Sequence, residues 1–254
     1  MDRALLQKYR YFLKDTIRKT FDFSLTDQSR RIPAPPIEKP YQMEKKRIKF
    51  TEHRQIQAVN KTDLFHAIEN RQSHRSYTME PIPLNELSFL LWATQGIKQV
   101  LDPGHALRTV PSAGCRHALE TYLCALNVEG LNQGIYRYLP LEHELLFEHA
   151  EENLKQTIVN AVFGQTCAGE AAITFIWTTI PYRMEWRYGL AAHKVIAIDA
   201  GHVCQNLYLA CEAIGAGACA IAAYDQEKVD QLLGVDGQDE FAIYLAAVGK
   251  RGQE

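Results

Sequence analysis

The segment RQSHRSY, residues 71–77, concentrates charge and hydroxyl groups where a polar N-terminal third gives way to apolar runs. Arg71 and Arg75 are four residues apart, a spacing that places them on one face of a helical turn. Ser73 lies between them as a hydroxyl donor. Two guanidinium groups and a hydroxyl can hold a phosphate by charge-assisted hydrogen bonds, so the segment predicts an anion site. A solvated helix end, with the arginines at its C-terminal dipole, is the structural alternative.

Two segments of small residues allow backbone N–H groups to come close to a ligand. TVPSAG, residues 109–114, is a predicted loop that ends in Pro111, Ser112, Ala113 and Gly114. ACAIAAY, residues 218–224, is a predicted strand, flat enough to lie against a planar ring, that contains Ala220, Ile221, Ala222 and Ala223. An ordinary turn and a packed strand crossing are the structural alternatives. Lys250 and Arg251, at the end of the last apolar run, either are solvated or return to the phosphate.

Composition limits the class of protein. The chain has 254 residues and 46% hydrophobic content, enough for one large domain or a domain with an appended segment. Lys and Arg total 28 against 30 Asp and Glu, so overall charge does not favour nucleic acid or an anionic membrane. The six cysteines form no tight framework and lack metal-ligand spacing, so we expect reduced thiols and no metal site. Without a membrane-length apolar run or an apolar signal core, the protein is expected to be cytoplasmic.

Hydrophobic periodicity predicts the elements that must position these residues. An amphipathic helix is expected over residues 3–20, and four prolines between 30 and 41 predict an extended strap. Residues 98–116 are predicted to be a polar loop. Further helices are predicted after Thr62 or Asp63, from Pro83, over 190–214 and after Asp225. Strands are predicted over residues 120–128, 134–139, 144–149, 171–180, 215–224 and 241–251.

This order of elements indicates an α+β fold with a mixed, mainly antiparallel sheet flanked by helices. The helix over 190–214 is apolar nearly all round, which is typical of a domain core or a dimer seam. We divide the chain into a helical and proline-rich N-terminal extension, residues 1–60, and a main domain, residues 61–254. The extension is expected to wrap the main domain.

Five segments, in this order along the chain, resemble the FMN-dependent nitroreductase superfamily. They are R-x-S-x-R at 71–75, LSFLLWATQGI, RTVPSAGCRHALETYLCALNVEGLNQGIYRY, IDAGHVCQNLYLACEAIGAGACAI and LLGVDGQDEFAIYLAAVGK. The resemblance covers residues 64–251 and is closest to the branch that contains azoline dehydrogenase-like proteins. It implies a nitroreductase-like fold, a homodimer with the long helix at its interface, and FMN between the subunits.

The resemblance also implies roles for the residues singled out above. Arg71 and Ser73 would bind the FMN phosphate, and Arg75 would reach the pyrimidine edge, where a fixed cation stabilises the reduced flavin. The loop from Pro111 to Gly114 would come from the partner subunit and border the flavin ring. The strand from Ala220 to Ala223 would run along that ring.

Further roles concern the flavin N5 and the phosphate. The N–H of Ala222 or Ala223 would point at N5, and Lys250, with Arg251, would close the phosphate site. The sequence departs from the family here, because Ile221-Ala222-Ala223 stands where members usually have a glycine. The N5 donor therefore stays open.

A second departure concerns catalysis. Azoline dehydrogenases carry a Lys-Tyr pair, and the nearest match is Arg187-Tyr188. Arginine stays protonated and cannot act as a general base, so the sequence does not support azoline oxidation by that route. Tyr188 is a candidate proton donor or substrate contact, with a tyrosine packed at a helix start as the alternative. His117 is a second candidate near flavin or substrate, and His202 is expected to be a core or interface histidine.

The function that these observations imply is hydride transfer through FMN N5, from a donor such as NAD(P)H to a small organic acceptor such as a nitroarene or quinone. No GxGxxG follows a predicted strand, so the nicotinamide would stack transiently on the flavin. Two alternatives stay open. One is a flavin dehydrogenase for a peptide-derived or other specialised substrate, with the N-terminal extension as a cover. The other is a non-catalytic protein that binds or stores flavin.

Overall fold

A computed structural model describes residues 2–50 and 62–252 of the chain. In chain order its strands are β1 (Arg47–Lys49), β2 (Ile97–Asp102), β3 (His105–Arg108), β4 (Leu119–Ala125), β5 (Gly134–Leu139), β6 (Glu144–His149), β7 (Ile173–Thr179), β8 (Ala216–Ile221) and β9 (Phe241–Lys250). Its α-helices are α1 (Arg3–Arg10), α2 (Leu64–Asn70), α3 (Leu84–Gln95), α4 (Leu154–Ala161), α5 (Cys167–Glu170), α6 (Tyr182–Tyr188), α7 (Ala192–Ala213) and α8 (Gln226–Leu233).

Seven strands form the central sheet, in the order β1-β6-β5-β4-β7-β9-β8. Every pair of neighbouring strands in it is antiparallel, and within residues 2–50 and 62–252 parallel pairing occurs only at isolated bridges such as Ser73 with Ala218. β7 lies between β4 and β9 with all seven residues buried, as its continuous apolar sequence predicts. The meander of β4, β5 and β6 and the α+β class are both confirmed.

Helices cover both faces of this sheet. One core cluster joins α3 and α7 to the face that carries Phe175 and Trp177, and the other joins α4, α5 and α8 to the face that carries Ile176 and Leu245. Asp63 begins α2 by accepting the His66 N–H at 2.9 Å, so it is Asp63 rather than Thr62 that caps this helix. Asp225 caps α8 in the same way, as predicted.

The long helix α7 confirms the prediction over 190–214, and one of its sides is open to solvent. Ala197, Ile198, Gly201 and His202 are exposed on that side. His202 is therefore not a core histidine. No helix in the described part of the chain has both the length and the apolar composition to cross a bilayer.

Two sequence predictions are wrong. The predicted polar loop over 98–116 contains the hairpin of β2 and β3, which turns at Pro103-Gly104. The predicted helix over 3–20 ends at Arg10 and continues as short 3-10 turns at Tyr11–Leu13 and Thr16–Lys19. No residue of α1 is buried, so tertiary packing does not stabilise a longer helix there.

The proline-rich strap is extended, as predicted, and it is held by its backbone. Arg108 donates to the Ile37 carbonyl at 2.7 Å, and Arg116 donates to the Pro35 carbonyl at 3.3 Å. Arg137 donates to the carbonyls of Lys39 and Pro40 at 2.9 and 3.2 Å. All three arginines are buried. The strap therefore wraps the main domain, while the predicted boundary at residue 60 lies outside the described residues.

Candidate functional site

The segment that contains Arg71, Ser73 and Arg75 leaves α2 and runs beside β8. Ser73 bridges Ala218, the His74 N–H donates to the Ala218 carbonyl at 2.9 Å, and the Thr78 N–H donates to the Lys250 carbonyl at 2.9 Å. The expectation that Arg71 and Arg75 share a helical turn is therefore wrong, because pairing with the sheet edge replaces the helix. In an extended segment, alternate residues lie on the same side. The spacing of two therefore still places Arg71, Ser73 and Arg75 on one side of the segment.

Tyr208 of α7 joins this segment to β8. Its hydroxyl accepts the Ala220 N–H at 2.8 Å and lies 2.9 Å from the Ser73 hydroxyl. The Arg71 guanidinium stacks over its ring, 5.4 Å from the centroid. Sequence reasoning missed this residue, because it counted Tyr208 only as part of an apolar helix face. The tyrosine itself was a usable signal. A buried tyrosine hydroxyl usually has a hydrogen-bond partner, so a tyrosine on an apolar helix face predicts a polar contact there.

The basic residues of the predicted phosphate site differ in their partners. Arg71 is half-buried and Arg75 is exposed, and neither forms an ion pair with a described residue. Lys250 is buried and donates to the Glu86 carboxylate and to the Ile214 carbonyl, both at 2.9 Å. Arg251 lies 3.1 Å from the Glu212 carboxylate. The structure thus brings Arg71, Ser73 and Ala220 together, and it gives Lys250 and Arg251 carboxylate partners.

Exposure to solvent increases at the end of β8. The Ile221 side chain is buried in the cluster below α8, whereas Ala222 and Ala223 are exposed. The Ala223 carbonyl accepts a hydrogen bond from Gln165 at 2.9 Å, which holds this short stretch in place. Small side chains at 222 and 223 leave the backbone accessible to a ligand.

The loop from Pro111 to Gly114, called the PSAG loop below, and the residues that follow it have an unusual backbone conformation. Gly114, Cys115 and His117 have φ angles of 60°, 55° and 46°, so two non-glycine residues adopt the left-handed region within four positions. The Ser112 hydroxyl accepts the His117 N–H at 3.0 Å and closes the turn. Strain of this kind persists only where surrounding structure imposes it, and it is frequent at ligand sites.

Asp199 of α7 lies behind this loop. It is 6% exposed, and its Oδ2 has no hydrogen-bond partner among residues 2–50 and 62–252. Burial raises the pKa of its carboxyl group, and hydrogen bonds from the Ser112 hydroxyl and the Ala113 N–H oppose that effect. Sequence reasoning did not single out this carboxylate, because one acid on an apolar helix carries no motif.

His117 has a structural role in this fold. Its ring is buried, and Nε2 lies 2.9 Å from the Ala106 carbonyl on β3. Burial, followed by the charge of Arg108, lowers the pKa of His117 to about 3, so the ring is neutral and donates to that carbonyl. The structure therefore makes His117 an anchor between the PSAG loop and the hairpin rather than an exposed proton donor.

Tyr188 is the last residue of α6, so it does not stand at a helix start. It lies against the PSAG loop, because a β-carbon built on Gly114 would be 2.8 Å from Tyr188 Oη and 2.9 Å from Arg187 Cδ. Two guanidinium groups lie near its ring, that of Arg187 at 5.5 Å and that of Arg18 at 5.9 Å from the centroid. Arg18 belongs to the N-terminal segment.

The predicted site residues thus form two groups within one chain. Tyr208 contacts Arg71, Ser73 and Ala220, and Asp199 faces the PSAG loop. Asp199 and Tyr208 are nine positions apart on α7, which separates the two groups by roughly 14 Å along the helix axis.

Comparison with known proteins identifies the family. The family model described as "Nitroreductase family" matches residues 68–250, well over half of the chain. A protein of Methanocaldococcus jannaschii named as a nitroreductase is 27% identical over 197 residues, which cover 78% of this chain and 96% of that protein. The microcin B17-processing protein McbC of Escherichia coli is 26% identical over 141 residues, 53% of this chain and 51% of McbC. The trifolitoxin-processing protein TfxB of Rhizobium leguminosarum is 26% identical over 161 residues, 62% of this chain and 43% of TfxB.

Solved structures agree in fold. The crystal structure of a nitroreductase from Ralstonia eutropha covers 87% of this chain and matches over its own full length, with a TM-score of 0.66 and 23% identity. A chain of the E. coli microcin synthetase McbBCD complex, solved with truncated pro-MccB17 bound, matches along all of this chain and 95% of its own length, with a TM-score of 0.60 and 19% identity. Together with the family match, this agreement leads to one conclusion: the chain is an oxidoreductase that belongs to the nitroreductase family.

Proposed function

We propose that the chain is an FMN-dependent oxidoreductase that works as a homodimer, with FMN held at the subunit interface. The nitroreductase family generally uses a flavin cofactor and typically forms dimers, which supports both parts of the proposal. The observation that carries it is the convergence of Arg71, Ser73 and Ala220 on the Tyr208 side chain. Arg71 and Ser73 lie far from Tyr208 and Ala220 in the sequence, and a guanidinium group and a hydroxyl have the chemistry that a flavin phosphate needs.

The residues fit the cofactor at its phosphate end. Arg71 and Arg75 have no carboxylate partner in the described part of the chain, so their charges are available to an anion. The exposed Ser73 hydroxyl adds a neutral donor. Lys250 and Arg251 remain predicted phosphate ligands, but each has a carboxylate partner, Glu86 and Glu212, from which it would have to turn away. We therefore assign the phosphate chiefly to Arg71 and Ser73.

FMN, when bound, would supply hydride transfer at its N5. The chain's own contribution is placement and charge. Arg75 would hold a permanent positive charge near the pyrimidine edge, and the exposed backbone at Ala222 and Ala223 would provide an N–H donor near N5. Tyr208 fixes β8 and the Ser73 segment relative to each other, so that both would reach one ligand.

The second subunit would complete the site. The PSAG loop faces α7 at Asp199, roughly 14 Å along the helix axis from Tyr208, and a partner packed on the exposed side of α7 would bring its own loop to the flavin. Ala197 and Gly201 on that side have small side chains, which allow two helices to approach closely. We propose NAD(P)H as the electron donor and a nitroarene or quinone as the acceptor class.

Absorption spectroscopy tests this proposal. We expect the purified protein, supplied with FMN and desalted, to keep a flavin absorption band that bleaches on anaerobic addition of NADPH or NADH. Arg71→Ala should lose a charge-assisted phosphate contact worth ~1.5 to 3 kcal/mol, which would weaken FMN binding roughly ten- to hundredfold. Arg10→Ala, which removes an exposed arginine of α1, is the matched control and should bind FMN like the parent protein. A parent protein that stays colourless after FMN is added would refute the proposal.

A second candidate is a flavin dehydrogenase that acts on a peptide-derived substrate. The observation that favours it is the similarity to McbC and TfxB, which are named as processing proteins for microcin B17 and trifolitoxin. The two candidates differ in turnover. Robust NAD(P)H oxidation with a nitroarene or quinone would favour the reductase, whereas tightly bound FMN with negligible turnover would favour the peptide-processing candidate.

A further inference from the structure

We propose that Arg187 and Arg18 form a carboxylate-binding subsite beside the PSAG loop, and that the enzyme therefore prefers acceptors that carry a carboxylate. This inference rests on the proposed function, because the PSAG loop borders the flavin only there. It assigns a substrate class to the site and a role to the N-terminal segment that carries Arg18.

Both guanidinium groups contact the same aromatic ring, that of Tyr188. Arg187 and Arg18 lie 5.5 and 5.9 Å from the centroid of Tyr188, so both cations lie near a single side chain. Arg18 reaches this position from the N-terminal segment, 170 positions away from Tyr188 in the sequence. The packing of Phe21 against Gly189 fixes this contact, because a β-carbon on Gly189 would be 2.1 Å from the Phe21 ring.

The cluster carries one positive charge without a counter-ion. Arg18 is paired with Asp15 at 2.9 Å. Arg187 has neither a carboxylate partner nor a hydrogen bond among the residues that the structure describes. The buried Arg116 feels the same positive field, since burial, then Arg183 and also Arg187, lower its pKa to about 10, although Asp102 opposes them. One uncompensated charge matches a monoanion, and a carboxylate fits the planar guanidinium fork.

The PSAG loop places this charge at the ligand. A β-carbon on Gly114 would lie 2.9 Å from both Cδ and Nε of Arg187, so only glycine lets the arginine lie this close to the loop. Arg187 is half-buried, which weakens competition from solvent while leaving room for an anion. An acceptor whose carboxylate is bound by Arg187 would therefore have its reducible group directed along the loop.

A pair of matched acceptors tests the inference in the FMN-loaded, full-length protein. The ratio of kcat/KM for 4-nitrobenzoate to kcat/KM for 4-nitrobenzamide measures carboxylate selectivity. We expect the parent enzyme to favour the benzoate, and Arg187→Gln to lower the ratio roughly ten- to hundredfold. Arg18→Gln should lower it less, because that cation is partly neutralised by Asp15. Lys19→Ala removes a neighbouring exposed charge as the control and should leave the ratio unchanged.

Calorimetry separates this inference from the proposed function. Benzoate and benzamide are titrated into the parent protein and the Arg187→Gln variant, which needs no turnover. Benzoate binding that is lost in the variant, with no comparable binding of benzamide, supports the subsite even if neither nitro compound is reduced. Equal binding of both probes by the parent, undetectable benzoate binding, or an Arg187→Gln variant with an unchanged kcat/KM ratio, would overturn it.

Discussion

The hydroxyl of Tyr208 connects two segments that are far apart in the sequence, the one that contains Ser73 and strand β8. Tyr208→Phe would remove the acceptor of the Ala220 N–H and the partner of Ser73 while keeping the ring under Arg71. We expect the free energy of unfolding to fall by about 1 to 3 kcal/mol, because a partly buried donor is left unsatisfied. FMN affinity should fall with it, since Ser73 and β8 lose their common anchor. Urea unfolding and an FMN titration measure the two effects.

Tyr136→Phe is the matched control for this prediction. Its hydroxyl donates one hydrogen bond to the carbonyl of Asn132, just before β5, at 2.8 Å. This variant should lose stability but keep FMN affinity. If the two variants bound FMN equally well, Tyr208 would have only a general structural role.

At the level of single chemical groups, the sequence supports a prediction of a phosphate site, which stays a prediction. The two arginines and the serine of RQSHRSY were predicted as an anion site from their donors alone. Tyr208 and Asp199 were not, because their partners lie far away along the chain: the Ser73 hydroxyl is 135 positions from Tyr208. A hydrogen bond over that separation exists only once the sheet has formed, and no local pattern encodes it.

Among the elements, the strap offers a test of pH dependence. Glu38 is 8% exposed, and burial, with the neighbouring Glu142 and Glu120, raises its pKa to about 7, although the Leu141 N–H and Arg108 oppose this. A raised pKa in the folded state favours the protonated form. The stability from Glu38 is therefore fully present below its ordinary pKa near 4.5 and is lost as pH rises through about 7.

We expect the urea midpoint to fall between pH 5 and pH 8, with a loss of up to about 3 kcal/mol from this group. Glu38→Gln keeps the shape of the side chain and cannot ionise, so it should remove this slope. Glu142→Gln, on the exposed neighbour, should keep most of it. A parent protein whose stability is flat over this range would contradict the assignment.

Elements were predictable where burial decides the pattern. β4 to β9, α3, α7 and α8 have apolar residues at the period of their secondary structure, together with recognisable caps such as Asp225. The β2–β3 hairpin has mostly exposed residues and no alternation to detect, although Pro103-Gly104 was an available turn signal. For residues 3–20 the predicted helix was too long. An amphipathic pattern gives a long helix only if a core receives its apolar face.

At the scale of the whole molecule, the exposed side of α7 should form the dimer interface. Gly201 lies on this side, and a β-carbon built there meets nothing within 4 Å, so a large side chain fits the isolated subunit. Gly201→Arg should therefore fold and yet block close approach of a second α7. We expect the variant to be a monomer with FMN affinity reduced at least roughly tenfold, because the partner's loop is lost.

Light scattering after size exclusion measures the mass, and an FMN titration measures the affinity. Gln156→Arg, on the exposed side of α4, is the control and should behave like the parent protein. A Gly201→Arg variant that remains dimeric would place the interface elsewhere. The division of the chain at residue 60 stays a prediction, since that position lies outside the described ranges.

The arginines that bind the strap recognise peptide oxygens, which every amino acid possesses. The side chains that also attach the strap are those of Ile37 and Glu38, which are buried, and of Lys39, which pairs with the Glu240 carboxylate and donates to the Tyr122 hydroxyl. A replacement segment that keeps Ile37, Glu38 and Lys39 can use the same backbone contacts, whatever residue it carries at position 18. Under the proposed carboxylate subsite, acceptor preference would follow this segment, and exchange of residues 1–41 between relatives tests that consequence.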